Sequence, residues 1–306
     1  MRLAEEKGQS AASRQHVAVM VDEVVGLVRA LNPLTIVDVT VGMGGHAAAL
    51  LRATDAHLLG IDRDATALAA AAANLAEFGP RVTLRQADFS GFDAVLDQCG
   101  IPCAGAIIAD LGMSSFALDD AERGFSFRLD GPLDMRMDRR QPLRAYDIVN
   151  EETEAELARI IHEYGEEHAA RRIARAIVEA RRRRPIETTG ELRGLIESVL
   201  GRNRRGGIHP ATRTFQALRI AVNHELESLA ALLDRGPARL SVGGRMIVLA
   251  YHSLEDRPVK QRFRELVRGG GFAAVTRKAM RPTEEEAAHN PRARSARLRC
   301  IERVAQ

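Results

Sequence analysis

Hydrophobic residues near the start of the chain follow helical spacing and then give way to short apolar runs. Residues 17–31 predict a helix because apolar side chains recur there every three or four positions. Helical patterns and strand-like runs then alternate along the chain. The predicted strands lie near 35–41, 57–62, 82–87 and 104–110, and the helices between them near 46–53, 64–78 and 91–98. Such alternation is typical of a parallel sheet with both faces covered.

The pattern changes after Asp110. Glycine, proline and charged residues fill 119–141, and residues 151–200 then carry helical signals with no strand-like run between them. This change predicts a separate helical unit within the α/β domain. The predicted division is a disordered tail over 1–15, an α/β domain over 16–138 and 211–306, and an inserted all-helical domain over 139–210.

Alternation resumes in the last third of the chain. Apolar residues from Phe215 to Leu233 keep helical spacing and predict one long helix. A strand over 245–251, a helix over 254–267 and two strands near 272–277 and 297–304 follow. The predicted fold class is therefore α/β, with a doubly wound and mostly parallel sheet.

Composition limits the class of protein. The chain has 306 residues with 45% apolar content, enough for one large core and a smaller one. No run of about eighteen apolar residues occurs, so we expect a cytoplasmic protein without a membrane partner. The three cysteines lack C-x-x-C spacing, and neither a disulfide framework nor a metal site is predicted. The sequence leaves the oligomeric state open, a homodimer included.

Positive charge is concentrated rather than spread. The net charge is only +3, but arginines crowd into 171–184, 202–205 and 292–299. A bias toward arginine and solvated helix faces is one explanation. For Arg202, Arg204 and Arg205, in a glycine-bounded loop, we predict contacts with the phosphates of a nucleic acid, which guanidinium groups bind well.

Glycines follow the first predicted strand in the run Gly42-Met43-Gly44-Gly45-His46. A strand that turns through glycine into a helix exposes backbone N–H groups at the positive end of that helix, where a nucleotide-like ligand can bind. The run fits either a dinucleotide fingerprint or a glycine turn for S-adenosylmethionine. The sequence thus predicts a cofactor site and leaves two ligands open.

Acidic residues end the neighbouring strands. Asp62 follows the second apolar run, where a carboxylate can accept hydrogen bonds from both hydroxyls of a ribose. Helix capping is the alternative for Asp62 and the preferred role for Asp64. Asp110 ends the fourth strand at the edge where such sheets bind ligands, and its alternative is to cap the following turn.

His252 ends the fifth strand at the same edge of the predicted sheet. It either lines the pocket, where it is a candidate catalytic residue, or packs against the next helix. Ser253 and Asp256 fit a capping box for that helix.

Several ordered segments resemble one family, the bacterial 16S ribosomal RNA cytosine-N4 methyltransferases. The resemblance runs from about His16 to the end of the chain. The matching segments are 42–46, 110–115, 119–127, 131–138, 164–167, 209–220, 252–257 and 290–295. This many long segments in the same order make a chance match improbable.

The resemblance implies a class I, Rossmann-like methyltransferase fold with an inserted helical domain. It implies S-adenosylmethionine as methyl donor and, as acceptor, a cytidine of 16S rRNA in the decoding centre of the small ribosomal subunit. The residues it assigns to the cofactor are Gly44, Gly45 and His46 near the methionine end, Asp62 at the ribose, Phe89 beside the adenine, and Asp110. One departure stands out, because the family usually has glutamine where this chain has Ala117.

The chemistry needs alignment of the acceptor nitrogen and an acceptor for its proton. Asp110, or a carbonyl in the turn after it, is our candidate for that acceptor. A base held in RNA must also be turned out, and aromatic and arginine planes can then stack on it. Phe125, Phe127, Arg136 and Arg213 lie in the matching loops and are candidates, although the two phenylalanines also have the spacing of core residues.

Three other functions remain compatible with parts of the sequence. A nicotinamide-dependent oxidoreductase would explain the glycine run and Asp62, but nothing after residue 120. An RNA-binding module without catalysis would explain the basic segments. A DNA cytosine-N4 methyltransferase would share the chemistry, but such enzymes usually carry a proline-rich acidic motif where this chain reads Asp110-Leu111-Gly112-Met113.

Overall fold

The computed structural model describes residues 18–113, 115–201 and 208–305. The predicted tail over 1–15 and the predicted RNA contacts Arg202, Arg204 and Arg205 lie outside the described residues.

Strands and helices alternate at both ends of the described chain, as predicted. The strands are β1 Thr35–Asp38, β2 His57–Asp62, β3 Val82–Gln86, β4 Ala104–Asp110, β5 Leu240–Ala250, β6 Phe272–Ala274 and β7 Arg297–Arg303. Helices α1 to α4 are Val21–Arg29, Gly45–Ala53, Ala65–Asn74 and Phe92–Gln98. Helices α5 to α9 are Ser115–Asp119, Ala145–Glu151, Glu154–Gly165, Ala170–Arg181 and Thr189–Leu200. Helices α10 to α13 are Thr212–Asn223, Glu225–Arg235, Ser253–Arg268 and Glu284–His289.

In the described part of the chain, the strands form one seven-stranded sheet in the order β3-β2-β1-β4-β5-β7-β6. The first five strands of this order run parallel, and β7 pairs antiparallel with both β5 and β6. The chain order reverses direction between β1 and β4, which creates a crevice at their carboxyl ends. The prediction of a mostly parallel, doubly wound sheet is confirmed.

The central strands are buried on both faces because helices cover each side of the sheet. Ile36 and Ile108 pack with α1 and α2 on one face, whereas Val37 and Ile107 pack with α4 and α11 on the other. Burying apolar side chains on two faces explains why these strands read as continuous apolar runs rather than as alternating patterns.

A second hydrophobic cluster belongs to the helices between β4 and β5. It combines buried residues of α6 to α10 with Phe125, Leu133 and Met135 from the preceding loop. The cluster reaches from Ala117 to Val222, so it extends beyond the predicted boundaries at 139 and 210 on both sides. Those boundaries remain a prediction.

The single long helix predicted from Phe215 to Leu233 is wrong, because the structure divides it into α10 and α11. His224 has φ 50° and ψ 40°, the left-handed conformation, and ends α10. The carbonyl of Asn223, just before the break, accepts a hydrogen bond from Arg63 at 2.6 Å. The Asn223 amide donates to the carbonyl of Met135 at 2.8 Å. These partners are far away in sequence, which is why local spacing did not indicate the break.

Among the described residues, no helix combines the length and the apolar character that crossing a membrane requires.

Candidate active site

A cavity of about 340 Å³ opens at the carboxyl ends of β1, β2, β4 and β5. Its walls include the glycine turn after β1, the ends of β2 and β4, the start of α12, and residues of the helical cluster such as Leu118 and Met137. The cavity therefore lies at the switch point of the sheet, where open α/β folds bind their ligands, and it borders the helical cluster as well.

The glycine turn brings backbone close to this cavity. Gly42 and Gly44 have φ values of 53° and 86°, which favour glycine because a Cβ is strained there. A Cβ on Gly45 would lie 2.9 Å from the Cβ of Ala18, so this position also requires glycine. Gly42, Gly45 and His46 line the cavity, whereas Gly44 shapes the turn and is absent from the lining.

Asp62 closes the turn from the neighbouring strand. One carboxylate oxygen, Oδ2, accepts a hydrogen bond from the Gly42 N–H at 2.9 Å, and Oδ1 accepts one from the Asp64 N–H at 2.9 Å. Burial raises the pKa of Asp62 above its ordinary value, although both hydrogen bonds act in the opposite direction. Asp62 lines the cavity, and its binding to a ribose stays a prediction.

The predicted capping role of Asp64 is confirmed, because its Oδ1 accepts from the Thr66 N–H at 2.9 Å at the start of α3. Asp64 has a second role that the sequence did not indicate. Its Oδ2 lies 2.8 Å from Nη2 of Arg123, a residue of the loop before the helical cluster.

Phe89 lies in the cavity wall after β3, where the resemblance expects an adenine. The guanidinium of Arg63 lies 5.6 Å from the centre of its ring, in a cation–π arrangement. Arg63 also pairs with Asp88. The ring is partly exposed and offers an apolar surface at the end of the sheet crevice.

Asp38, Asp62 and Asp110 end neighbouring strands, and two of them, Asp38 and Asp110, lie close to His46. The Nε2 atom of His46 donates to the Val19 carbonyl at 2.8 Å, and its Nδ1 lies 3.8 Å from Oδ2 of Asp110. Asp38, which the sequence analysis did not select, ends β1 and is buried behind them. Burial raises its pKa from 3.8 to about 7, with His46 lowering it and the nearby Asp110 and Asp62 raising it.

Asp110 lies at the mouth of the cavity, where two hydrogen bonds fix its position. Its backbone N–H donates to the hydroxyl of Thr40 at 2.7 Å, and its Oδ1 accepts from the Gly112 N–H at 3.0 Å. Tyr251 approaches the same carboxylate. Burial and the adjacent Asp110 raise the pKa of the Tyr251 phenol, which therefore stays protonated and can donate.

His252 lines the cavity at the start of α12, so the first of its two predicted placements is correct. Its Nε2 lies 3.0 Å from Oε1 of Glu255 and 3.4 Å from Nη2 of Arg219. Arg219 in turn bonds both carboxylate oxygens of Glu225, at 2.8 and 2.7 Å. Local sequence patterns do not indicate this network, because its members come from three helices.

Glu225, His252 and Glu255 offer three ligand atoms within 4.8 Å of one another, a spacing that a metal ion could use. However, the guanidinium of Arg219 already supplies a cation to this cluster. The cluster is therefore an internal charge network that orients His252.

The predicted capping box of Ser253 and Asp256 is wrong. Glu255 performs the capping, since its Oε2 accepts from the backbone N–H groups of Tyr251 and His252, at 2.7 and 3.3 Å. Ser253 instead donates to Glu166. Asp256 accepts from Arg299 at 2.7 Å, one of the distant arginines that make it unavailable for capping.

The candidate RNA-stacking residues lie outside the cavity lining. Arg136 bonds both oxygens of Asp134 at 2.8 Å and also donates to the carbonyl of Gln141 at 2.9 Å. Arg213 has a side chain that is 40% exposed, and its Nη1 lies 3.8 Å from a carboxylate oxygen of Glu167. Arg213 is thus the freer of the two arginines, and its contact with RNA stays a prediction.

Phe125 and Phe127 pack against the helical cluster, which is the alternative to RNA stacking that their spacing allowed. Phe125 is buried in the helical cluster. Phe127 stacks on His209 with ring centres 4.5 Å apart and meets Phe215 edge-on at 5.4 Å. These contacts occupy the ring faces that a base would need.

Two further residues complete the cavity. Ala117 is buried in its wall, where a glutamine would have placed an amide. Arg292, from the segment between β6 and β7, reaches the cavity from the other side and lies 3.7 Å from Asp119. The basic run 292–299 was visible in the sequence, but only Arg292 of this run lines the cavity, and that position depends on the sheet topology.

The strand order, the antiparallel β7 and a cavity at the switch point define the class of protein, which is the class I, Rossmann-like methyltransferase fold. Comparison with known families narrows this class. The chain belongs to the MraW methylase family, whose model matches residues 13–304.

Curated relatives agree over almost the whole chain. A protein of Cutibacterium acnes named ribosomal RNA small subunit methyltransferase H is 50% identical, over 88% of this chain and 85% of that protein. A protein of the same name from Syntrophotalea carbinolica is 49% identical, over 95% of this chain and 98% of that protein. A solved rRNA methylase from Streptococcus thermophilus is 12% identical with a TM-score of 0.43, covering 93% of this chain and 94% of that one.

Proposed function

We propose that this protein transfers a methyl group from S-adenosylmethionine to the exocyclic N4 of a cytidine in 16S ribosomal RNA. The observation that carries the proposal is the cavity at the switch point, where a glycine turn and the carboxylates of Asp62 and Asp110 meet in a chain of the MraW methylase family. The curated relatives are named for ribosomal RNA of the small subunit, which supports RNA as substrate. Such a substrate implies action in the cytoplasm on the RNA or the subunit.

The residues present fit the cofactor. Gly42 and Gly45 line the cavity without side chains, so a ligand could lie directly against the backbone of the turn. Asp62 would accept from the ribose hydroxyls, since its carboxylate is held by two backbone N–H groups and retains further lone pairs. Phe89 would border the adenine. Gly44, Gly45 and His46 would hold the methionine end.

When bound, S-adenosylmethionine supplies a methyl group on a positively charged sulfur. The carboxylates near the cavity mouth favour a cation there, because uncompensated negative charge in a partly buried site attracts positive charge. Asp110 is half-buried at the cavity mouth, with a side-chain exposure of 20%, and an incoming base would reach it there.

The acceptor nitrogen must lose one proton as it gains the methyl group. Asp110 would accept that proton; its position at the cavity mouth and the hydrogen bond from the Gly112 N–H support this role. His252 is the second candidate, and Arg219 and Glu255 hold its ring in one orientation. Most of the rate enhancement would come from alignment of N4 with the methyl group, with proton acceptance adding to it.

The base would enter between the sheet and the helical cluster. Leu118 and Met137 line this side of the cavity and provide apolar surface for a base turned out of its stack. The exposed guanidinium of Arg213 lies on α10, within reach of solvent, and would contact the RNA outside the cavity. We further propose that Arg136 holds the loop that carries Met137, besides any contact with RNA.

Mass spectrometry of small-subunit RNA from cells with and without the gene tests the proposal. The expected result is one cytidine that carries an N4-methyl group only when the protein is present. Titration calorimetry with S-adenosylhomocysteine and with NADH distinguishes the methyltransferase from the main alternative, a nicotinamide-dependent oxidoreductase. Heat from NADH alone would establish the oxidoreductase, and RNA binding without S-adenosylhomocysteine binding would establish a non-catalytic module.

A further inference from the structure

A second concavity lies at the edge of the sheet, between α12 and strands β6 and β7. Its volume is about 520 Å³. Side chains from the helix, from the segment after β6 and from β7 form its walls. We call it the basic groove, and its basic residues are Lys260, Arg264, Arg268, Arg277, Lys278 and Arg299. No aspartate or glutamate is among the described residues that line it.

The charge of the basic groove is not balanced within the described structure. Arg299 bonds Asp256 at 2.7 Å and is neutralised. The other five basic residues form no ion pair with any described carboxylate, although neighbours on the same helix, such as Arg257 and Arg262, do. Positive charges that face one concavity repel each other, so an anion from outside would stabilise this arrangement.

The positions of the lysines also indicate that the basic groove is a binding site. The sequence has 44 basic residues, of which only Lys7, Lys260 and Lys278 are lysine. Both lysines in the described part of the chain line the basic groove. A general bias toward arginine does not explain this placement.

The groove has a linear form that suits a chain of phosphates. Lys260, Arg264 and Arg268 are spaced four residues apart, which places them on one face of α12 over about 12 Å. Phe263, Val267 and Ile301 provide apolar surface between the charged groups. The residue that precedes this helix is His252, which lines the candidate active site, so the row of cations leads away from that cavity.

We propose that the basic groove binds the phosphodiester backbone of the RNA substrate at a distance from the methylated base. The inference rests on the proposed function, because it identifies a second contact with the same RNA. Arginine and lysine side chains would replace the counterions of several successive phosphates, so the contact contributes affinity without reading the sequence.

A triple variant tests the inference. Arg264→Ser, Arg277→Ser and Lys278→Ser together remove three exposed charges without a described partner. The matched control, Arg29→Ser with Arg85→Ser and Arg183→Ser, removes three exposed charges from other elements. Affinity for a 16S RNA fragment that contains the target cytidine is measured between about 50 and about 200 mM salt. Calorimetry with S-adenosylhomocysteine and the melting temperature show that each variant is folded.

We expect the triple variant to bind the RNA about tenfold or more weakly, with the slope of log affinity against log salt reduced by about 2 to 3. The control should change both quantities much less, and affinity for S-adenosylhomocysteine should stay at the wild-type value. Addition of inorganic phosphate should compete only weakly with RNA, because a single phosphate engages few of the cations.

An unchanged salt slope in the triple variant would overturn the inference, as would an equal loss in the control. Strong competition by inorganic phosphate would instead assign the groove to a small anion. If the wild type bound phosphatidylserine vesicles and the triple variant did not, while both bound RNA equally well, the basic groove would be a membrane-binding surface. The proposed function is tested separately, and it is contradicted if the wild type methylates no cytidine. If the wild type and the triple variant both methylate the cytidine and bind the RNA equally well, the proposed function is retained and only the role of the basic groove is contradicted.

Discussion

The Nη2 atom of Arg123 lies 2.8 Å from Oδ2 of Asp64 and joins the loop that leads into the helical cluster to the start of α3. Both side chains are largely buried, with exposures of 3% and 13%. The same guanidinium donates to the carbonyls of Arg136 and Met137, at 3.1 and 3.2 Å. One arginine thus holds the wall of the cavity that faces the helical cluster.

We expect Arg123→Met to lower the free energy of unfolding by about 3–5 kcal/mol, because it leaves the Asp64 carboxylate buried without its cation. Urea denaturation measures the loss. The double variant Arg123→Met with Asp64→Asn should recover part of it, since asparagine still caps α3 and carries no charge. A double variant no more stable than Arg123→Met would attribute the loss to packing instead of charge.

Asp62 provides a test of the cofactor site. We expect Asp62→Ala to weaken S-adenosylhomocysteine binding by about 10- to 100-fold, the effect of losing hydrogen bonds to a charged group. Calorimetry measures the affinity, and Asp55→Ala, at an exposed aspartate before the same strand, serves as control.

Because burial raises the pKa of Asp62, its carboxylate becomes protonated at a higher pH than an exposed one. Wild-type affinity should therefore fall as the pH is lowered. A pH-independent affinity would argue against a role for this carboxylate.

The sequence predicted most of the sheet because its information there is local. Asp62 and Asp110 were found since each ends an apolar run, and the carboxyl ends of parallel strands must meet at one edge. Asp38 ends β1 in the same way, and that signal was present but unused.

Contacts between distant residues determine the features that differ from the sequence-based predictions. The break at His224 depends on Asn223, whose partners Met135 and Arg63 are 88 and 160 residues away. The capping of α12 changed because Asp256 is engaged by Arg299, 43 residues further along the chain. Periodicity and capping patterns describe neighbours in sequence, and they cannot register such partners.

Asp38 makes the stability of the protein depend on pH. Burial raises its pKa from 3.8 to about 7, so the folded protein keeps this proton over a range in which the unfolded chain has lost it. The folded state then binds more protons, and the contribution of Asp38 to the free energy of unfolding falls as the pH rises from about 4 to about 7.

We expect Asp38→Asn to be more stable than the wild type above about pH 7, by roughly a few kcal/mol, and to lose this advantage toward about pH 4. Asparagine keeps the oxygen that accepts from the Thr40 N–H. Denaturation at several pH values measures the difference, with the exposed substitution Asp22→Asn as control. A constant difference across this range would contradict a buried, protonated Asp38.

Asp110→Asn separates the two roles that its position allows. Asparagine can still accept from the Gly112 N–H through Oδ1, so the local turn is kept, but it cannot take up a proton. If Asp110 accepts the proton of N4, kcat at saturating S-adenosylmethionine should fall by about 10²- to 10⁴-fold with little change in S-adenosylhomocysteine affinity. If it only contacts the cofactor, KM for S-adenosylmethionine should rise and kcat should stay near the wild-type value.

Tyr251→Phe is the matched control for this measurement, because it removes the hydroxyl that faces Asp110 and leaves the carboxylate in place. The carboxylate that would take up the proton is still present in this variant, so we expect it to keep most of its kcat. An equal loss of kcat in both variants would show that the pair acts by shaping the cavity, and His252 would then become the remaining candidate for the proton acceptor.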